Sequence, residues 1–350
     1  MPRMTRFTVH GSDRLEATIA AQLSAVRDDL LRSVPLEWLD CLVLGGGYGR
    51  GEGGAVERED GSESPHNDYD LLLVHRAGLK PPTALADRRA LERALRSVES
   101  KHSQSTGLHV DILPVHRLRV PHLPPALTWY ELGRGHRVLW GDASAIGPLV
   151  RRGLNQVDPS EWGRLLMNRA AGLTFARWVL RGEPCSLLGA EAPDVFVTRQ
   201  LQKAWLALGD VWLADRGAYD HLVRERVARF EARVAEQPPW ADAYRAAAEY
   251  KLRPTGPLPQ GRQREELERL TELYVPLLES RPAAPARPAV GLLATVRHVP
   301  PARWFSERPW AYPRERLRRA IAAELSGDRP RFERLVHDPE RFVRLWSRYG

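Results

Sequence analysis

Asn67-Asp68-Tyr69-Asp70-Leu71-Leu72-Leu73-Val74 puts two carboxylates at the mouth of an apolar run. The aliphatic stretch predicts a buried strand from Tyr69 to His75. Side chains alternate across a strand, so residues two apart face the same way. Asp68 and Asp70 are thus held side by side and repel one another unless a cation lies between them. Mg²⁺ suits that place, because it prefers oxygen ligands and binds one or two carboxylates together with phosphates. Taken alone, the pair also reads as two solvated acids at a strand end.

A third acid changes the balance. Asp111 lies inside another apolar run, His109-Val110-Asp111-Ile112-Leu113, part of a strand predicted from Leu108 to Val115. An unpaired charge is costly to bury there. The residue calls for a metal, a cationic partner or an open cleft, and pairing with an Arg or capping a loop remains open. If the two strands are neighbours, all three acids converge.

Upstream, the short strand Cys41-Leu42-Val43-Leu44 stops against Gly45-Gly46-Gly47-Tyr48-Gly49-Arg50-Gly51-Glu52. Glycines let backbone N–H groups approach phosphate oxygens without side-chain obstruction. There is no P-loop sequence. Gly49, Gly51 and Gly54 match the dinucleotide fingerprint formally, but the residues after them are acidic and polar and open no helix. The order is therefore strand, glycine turn, Asp-x-Asp strand, helix, single-Asp strand, with the helix predicted over Leu85 to Val98. A first helix is predicted behind Ser12 as N-cap, from Leu15, Ile19, Leu23, Val26 and Leu30 at helical spacing.

That order resembles the DNA polymerase β-like nucleotidyltransferase superfamily, over about residues 38–115. The resemblance implies an α+β fold, a head with a mixed sheet and helices on one face, followed here by a mostly α-helical domain. Gly46 and Gly47 would be the family's Gly-Gly/Ser pair, which cradles the β- and γ-phosphates of a nucleoside triphosphate. Asp68 and Asp70 would be its two metal ligands and Asp111 its third carboxylate. The family reaction uses two Mg²⁺ ions and moves a nucleoside monophosphate to an acceptor hydroxyl with release of pyrophosphate. Asp111 would then ligate the metal near the acceptor and help remove the hydroxyl proton. Arg50 is a candidate for the phosphates, with an acidic partner as its other reading. Two departures stand out. The interval from Gly47 to Asp68 is longer than usual in the family, and residues 52–64 read as an inserted flexible loop. Gly47 also lacks the hydroxyl that many relatives supply.

Pro121, Pro124 and Pro125 predict a boundary, with a catalytic head at 1–124 and a helical domain at 125–350 that binds acceptor or nucleotide. Beyond it strand signals almost vanish. Helical patterns fit 159–182, 194–215, 218–236, 239–250 and 263–279, with two more after Pro313 and proline-rich breaks at 253–260 and 281–288.

The 350 residues can bury two cores, and their composition is that of an ordinary soluble protein. No membrane span or signal peptide is legible, and Cys41 and Cys185 make neither a disulfide framework nor a zinc pattern, which predicts a cytoplasmic location. Residues 1–124 hold 16 Lys and Arg against 17 Asp and Glu, leaving 36 against 27 for residues 125–350. That excess suits phosphates or nucleic acid, and GC-rich coding also produces it. Of the 11 histidines, His66 and His109 flank the acids, while His10, His75, His102, His116 and His122 show no ligand spacing. Trp205, Trp212, Trp304 and Trp310 read as helix-packing core rather than base-stacking platforms. Arg314, Arg316, Arg318 and Arg319 read as a solvated helix face. The acceptor stays open between a small molecule, an RNA end and a protein side chain, and the base and oligomeric state are not legible. The rival to an enzyme is a nucleotide-binding regulator that keeps the fold without turnover. A purely structural or DNA-binding role has no helix-turn-helix or zinc motif behind it.

Overall fold

The computed structural model describes residues 6–58, 60–78, 84–189, 191–283, 313–336 and 339–349. Trp304, Trp310 and part of the 281–288 break lie outside them. The chain is α+β, with a small mixed sheet and a helical C-terminal region. It divides into two compact units. The first comprises Met1–Val157, Asp220–Glu225 and Glu249–Thr255, and the second the remainder.

In the first unit, the sheet contains β1 (Leu39–Leu44), β4 (Asp68–His75), β5 (His109–His116) and β6 (Arg137–Gly141), in the order β5-β4-β1-β6. β1 runs antiparallel to β4 and β6, and β4 runs parallel to β5. The two long helices, α1 (Asp13–Ser33) and α3 (Ala84–Thr106), lie on one face. Ser12 caps α1 by accepting the Leu15 N–H at 3.3 Å, and Leu15, Ile19, Leu23, Val26 and Leu30 are buried as their spacing predicts. They share a core with Leu42, Leu44, Leu71, Leu73, Val110 and Ile112. Asp29 on α1 meets Lys101 Nζ at 2.5 Å and His102 Nε2 at 2.9 Å on α3. The contacts to Lys101 and Arg32 hold its carboxyl well below the usual carboxylate range.

The opposite face carries a smaller core of Cys41, Val43, Leu72, Val74 and Val115. Short segments between residues 117 and 150 cover it through Val120, Leu132, Ile146 and Leu149. β5 is an edge strand whose outward N–H groups are already engaged. Val110 donates to Ser103 Oγ at 3.0 Å and Ile112 to Glu99 Oε1 at 2.8 Å, and Pro114 has no N–H to offer. Such capping blunts an edge that would otherwise invite another strand.

The structure departs from the sequence reading in four places. β6 pairs with β1, so the sheet continues past the proline cluster that suggested a boundary at residue 124. Prolines stop an element, but they do not prevent the chain from returning to the same sheet. Residues 54–66 form an antiparallel hairpin, β2 (Gly54–Glu57) and β3 (Glu63–His66), where a flexible loop was expected. Helix formation over 218–236 is confined to Val223–Glu231 and a 3₁₀ turn at Val234–Glu236. Among the described residues, three helices, not two, follow residue 312: Pro313–Leu325, Arg329–Val336 and Pro339–Tyr349.

The second unit is helical. Ser160–Leu180, Pro193–Asp215 and Gln260–Ser280 pack with the three last helices around Phe175, Trp178, Phe196, Leu270, Tyr274, Phe332 and Phe342. Trp205 is buried, donates Nε1–H to Glu266 at 2.8 Å and belongs to that core. The arginine run is less solvated than its sequence suggests. Arg318 is buried against Glu315 at 2.7 Å, and Arg316 Nε donates to the Leu335 carbonyl at 2.6 Å. No helix among the described residues is long and apolar enough to cross a membrane.

Candidate active site

The parallel register of β4 and β5 sets Asp70 opposite Asp111 and Asp68 opposite His109. Asp70 shares its face of β4 with Leu72 and Val74, which point into the smaller core, while Tyr69, Leu71 and Leu73 point to α1 and α3. The three acids thus continue the apolar row of one sheet face beyond the end of its cover. Asp68 and Asp111 are exposed and Asp70 is half-buried. Burial, then Asp68, then Asp111, push the Asp70 carboxyl up to about 7, against the pull of Arg50 and Lys251.

The turn after β1 packs directly on Asp70. Gly45 N–H donates to the Asp70 carbonyl at 2.8 Å. Gly46 has φ +59°, and a Cβ at that position would collide with the Asp70 carboxylate. Gly46–Gly49 form one turn of helix, α2, with Gly46 and Gly47 partly exposed. First-turn N–H groups have no acceptor within their own helix, so these amides are disposed to meet an anion. The glycines make two close approaches possible, one by the backbone to Asp70 and one by whatever lies outside the turn.

Arg50, at the end of that turn, pairs with Glu131 at 3.4 Å, and its side chain is only 7% exposed. Of its two sequence readings, the acidic partner is therefore present. Its charge still reaches Asp70. Glu52 is fully buried and accepts the N–H groups of Val223 at 2.8 Å and Arg224 at 3.2 Å. It ties residues Asp220–Glu225 to the glycine turn. Tyr48 holds the root of the hairpin. Its hydroxyl accepts the His66 N–H at 2.8 Å and lies 2.9 Å from the carbonyls of Gly54 and His66, which share its single proton as acceptors. The ring packs edge-on against Tyr69, with centroids 5.0 Å apart. Asn67 then takes φ +72°, a left-handed conformation that Asn tolerates, and turns the chain from β3 into Asp68.

Asp68, Asp70, Asp111, Gly46, Gly47 and Arg50 are thereby gathered at one end of the sheet, and His109 stands beside Asp68. Three residues around the site escape the sequence reading. Tyr48 and Glu52 sit inside the glycine stretch, where their types carry no chemistry until the hairpin and residues 220–225 are in place. Lys251 has no local signal at all. Among the described residues no group of three or more His, Cys, Asp or Glu side chains is arranged to hold a metal ion, so the three carboxylates are neighbours without forming a coordination sphere. Their chemistry nonetheless fits Mg²⁺. The donors are hard oxygens, and a cation between them would offset the burial and the repulsion that lift Asp70.

No family model matches the chain. No curated protein matches it either. Among solved structures, the chain is similar to spectinomycin adenyltransferase AAD(9) from Enterococcus faecialis, a crystal structure with ATP and spectinomycin. The identity is 12% and the TM-score 0.40, over 73% of this chain and 98% of that one. A likeness this remote assigns neither fold nor function, and the site geometry stands on its own.

Proposed function

We propose that the protein is a Mg²⁺-dependent nucleotidyltransferase that moves a nucleoside monophosphate from a nucleoside triphosphate to an acceptor hydroxyl. The observation that carries this reading is the strand register, with Asp70 opposite Asp111, Asp68 two residues along the same face, and the Gly45–Gly47 backbone packed against Asp70. Three carboxylates on one face beside a glycine turn make sense where a metal and a polyphosphate come between them.

Asp68 and Asp70 would hold two Mg²⁺ ions together with Asp111. Bound Mg²⁺ would supply neutralisation of the triphosphate and of the charge developing on its leaving group. Gly46 and Gly47 would donate their N–H groups to the β- and γ-phosphates. Asp111 is exposed and comes from the neighbouring strand, a position suited to the acceptor side. Its carboxylate takes the hydroxyl proton as the acceptor oxygen bonds to the α-phosphorus. The bond from that phosphorus to the bridging oxygen breaks, and pyrophosphate leaves with the electron pair. Arg50, held by Glu131, stands behind Asp70 as a fixed positive charge.

The test is transfer itself. Each of the four triphosphates, labelled at the α-phosphate, is incubated with the protein, Mg²⁺ and cell extract, and products are read by mass spectrometry. The expected result is a labelled adduct with stoichiometric pyrophosphate, absent with Asp70→Asn. That adduct also tells whether the hydroxyl belongs to a small molecule, an RNA end or a protein. Triphosphate binding without pyrophosphate release from any donor and extract would support a regulator instead.

A further inference from the structure

The segment Asp220–Glu225 belongs to the first unit although the chain on either side of it belongs to the second. Glu52 holds it there through the N–H groups of Val223 and Arg224. The segment carries an acid–imidazole pair. Asp220 Oδ1 accepts the Leu222 N–H at 3.0 Å and the His221 Nδ1–H at 2.8 Å. A carboxylate on one ring nitrogen fixes the tautomer and leaves the other nitrogen to act. That other edge of the ring lies toward the glycine turn. A Cβ on Gly135 would stand 3.0 Å from His221 Cδ2, the atom bonded to Nε2, and would collide with Arg50 Cγ. Arg50 ends the turn of α2, and the Gly135 carbonyl would stand 3.5 Å from a Cβ on Gly49. The His221 side chain is 21% exposed, and among the described residues its Nε2 has no hydrogen-bond partner.

The strand order fixes what lies on either side. At this end of the sheet Asp111 on β5 comes first, then Asp68 and Asp70 on β4, then the glycine turn after β1, then Gly135 and His221 ahead of β6. The row spans three strand spacings, about 14 Å. We propose that His221 is the general acid that protonates the departing pyrophosphate, resting on the nucleotidyltransferase reading above. Asp111 takes the acceptor proton at one end of the row, and the phosphates over the glycine turn extend toward the other. The acceptor oxygen bonds to the α-phosphorus, and the bond from that phosphorus to the bridging oxygen breaks. The electron pair leaves with pyrophosphate, one of whose oxygens takes the Nε2 proton, and the neutral imidazole regains a proton from water. Histidine carries both protonation forms near neutral pH, whereas Arg50 has a charge to offer and no proton to give. The other charged groups on the elements packed here are Asp220, Glu131, Glu52 and Arg224, with Arg134 next to Gly135 in the chain. The rival role for His221 is packing, a ring that only seats its segment against Gly135.

The two roles part in the pH dependence of the rate. Single-turnover pyrophosphate release is followed from neutral to alkaline pH in the extract that yields the labelled adduct, for the parent, His221→Gln and His221→Ala. The parent rate should fall as the pH rises through the histidine range, because only the protonated ring gives a proton. His221→Gln should be slower by about 10²-fold at neutral pH, the lower end for a positioned acid, and should lack that alkaline limb. Its triphosphate affinity in Mg²⁺ and its urea midpoint should stay near the parental values. Added imidazole should restore part of the rate to His221→Ala. An alkaline limb unchanged in His221→Gln, or a loss confined to affinity or to unfolding, would overturn the assignment and leave the nucleotidyltransferase reading intact. A parent protein that releases no pyrophosphate from any triphosphate overturns both.

Discussion

Asp70 and Asp111 are direct neighbours across two parallel strands, yet their surroundings differ. Asp70 lies half-buried beneath the glycine turn with two acids and two basic residues acting on it, whereas Asp111 is exposed on the edge strand. On the proposed reading Asp111 faces the acceptor, so it should govern the chemical step more than donor binding. Asp111→Asn is expected to slow single-turnover transfer by about 10² to 10⁴, the range for a positioned acid–base group. Triphosphate affinity should change far less. Parental turnover in this variant would make Asp111 structural and direct attention to His109, the partner of Asp68. The residue types here were legible because acids in apolar strands are conspicuous. Lys251 was not, because a lone lysine on a helix end reads as solvated surface until the fold returns it to the hairpin.

At the scale of elements, the hairpin of β2 and β3 turns an apparent loop into part of the site wall. Its strands, Gly54-Ala55-Val56-Glu57 and Glu63-Ser64-Pro65-His66, have almost no alternation of apolar and polar residues. No period-2 signal betrays them. What fixes them is not their own sequence but the Tyr48 hydroxyl, the Arg253–Glu57 pair and the Ser12 N–H, which donates to Glu63 at 2.7 Å. β4 and β5 were legible within a residue and β1 within two, because their aliphatic runs stand out. β6 was missed because Arg137-Val138-Leu139-Trp140-Gly141 is short and only half-buried. The hairpin root gives a direct test. Tyr48→Phe removes the acceptor of the His66 N–H while keeping the ring against Tyr69. Unfolding in urea should show a loss of about 1–3 kcal/mol, the cost of leaving a buried polar group unsatisfied, with a rise in KM for the triphosphate. An unchanged midpoint and KM would mean the hydroxyl does not hold the hairpin.

The whole molecule does not divide where its sequence suggests. The first unit draws on three separate stretches of chain, because Glu52 takes its donors from residues 223 and 224 and the hairpin takes Arg253. A boundary read from prolines sees only the interruption of local patterns, and the later segments that complete a unit leave no mark in composition. A fragment of residues 1–157 should therefore fold poorly. It strips the fully buried Glu52 carboxylate of its partners, and an uncompensated buried charge costs several kcal/mol. Hydrogen exchange on the β1 amides should be much faster in the fragment than in the full chain. Equal protection in both would show that the later segments are dispensable.

On the proposed reading, Asp68 and Asp70 join a donor triphosphate through Mg²⁺. Its most direct test is calorimetric titration of a nucleoside triphosphate into the full chain, with Mg²⁺ and with excess chelator, for the parent and for Asp68→Asn and Asp70→Asn. Three carboxylates and a polyphosphate repel one another, so binding by the parent should require Mg²⁺. That dependence should collapse in both variants while their unfolding transitions remain near the parental one. Triphosphate binding of equal strength with and without Mg²⁺, or undiminished in Asp70→Asn, would contradict the claim.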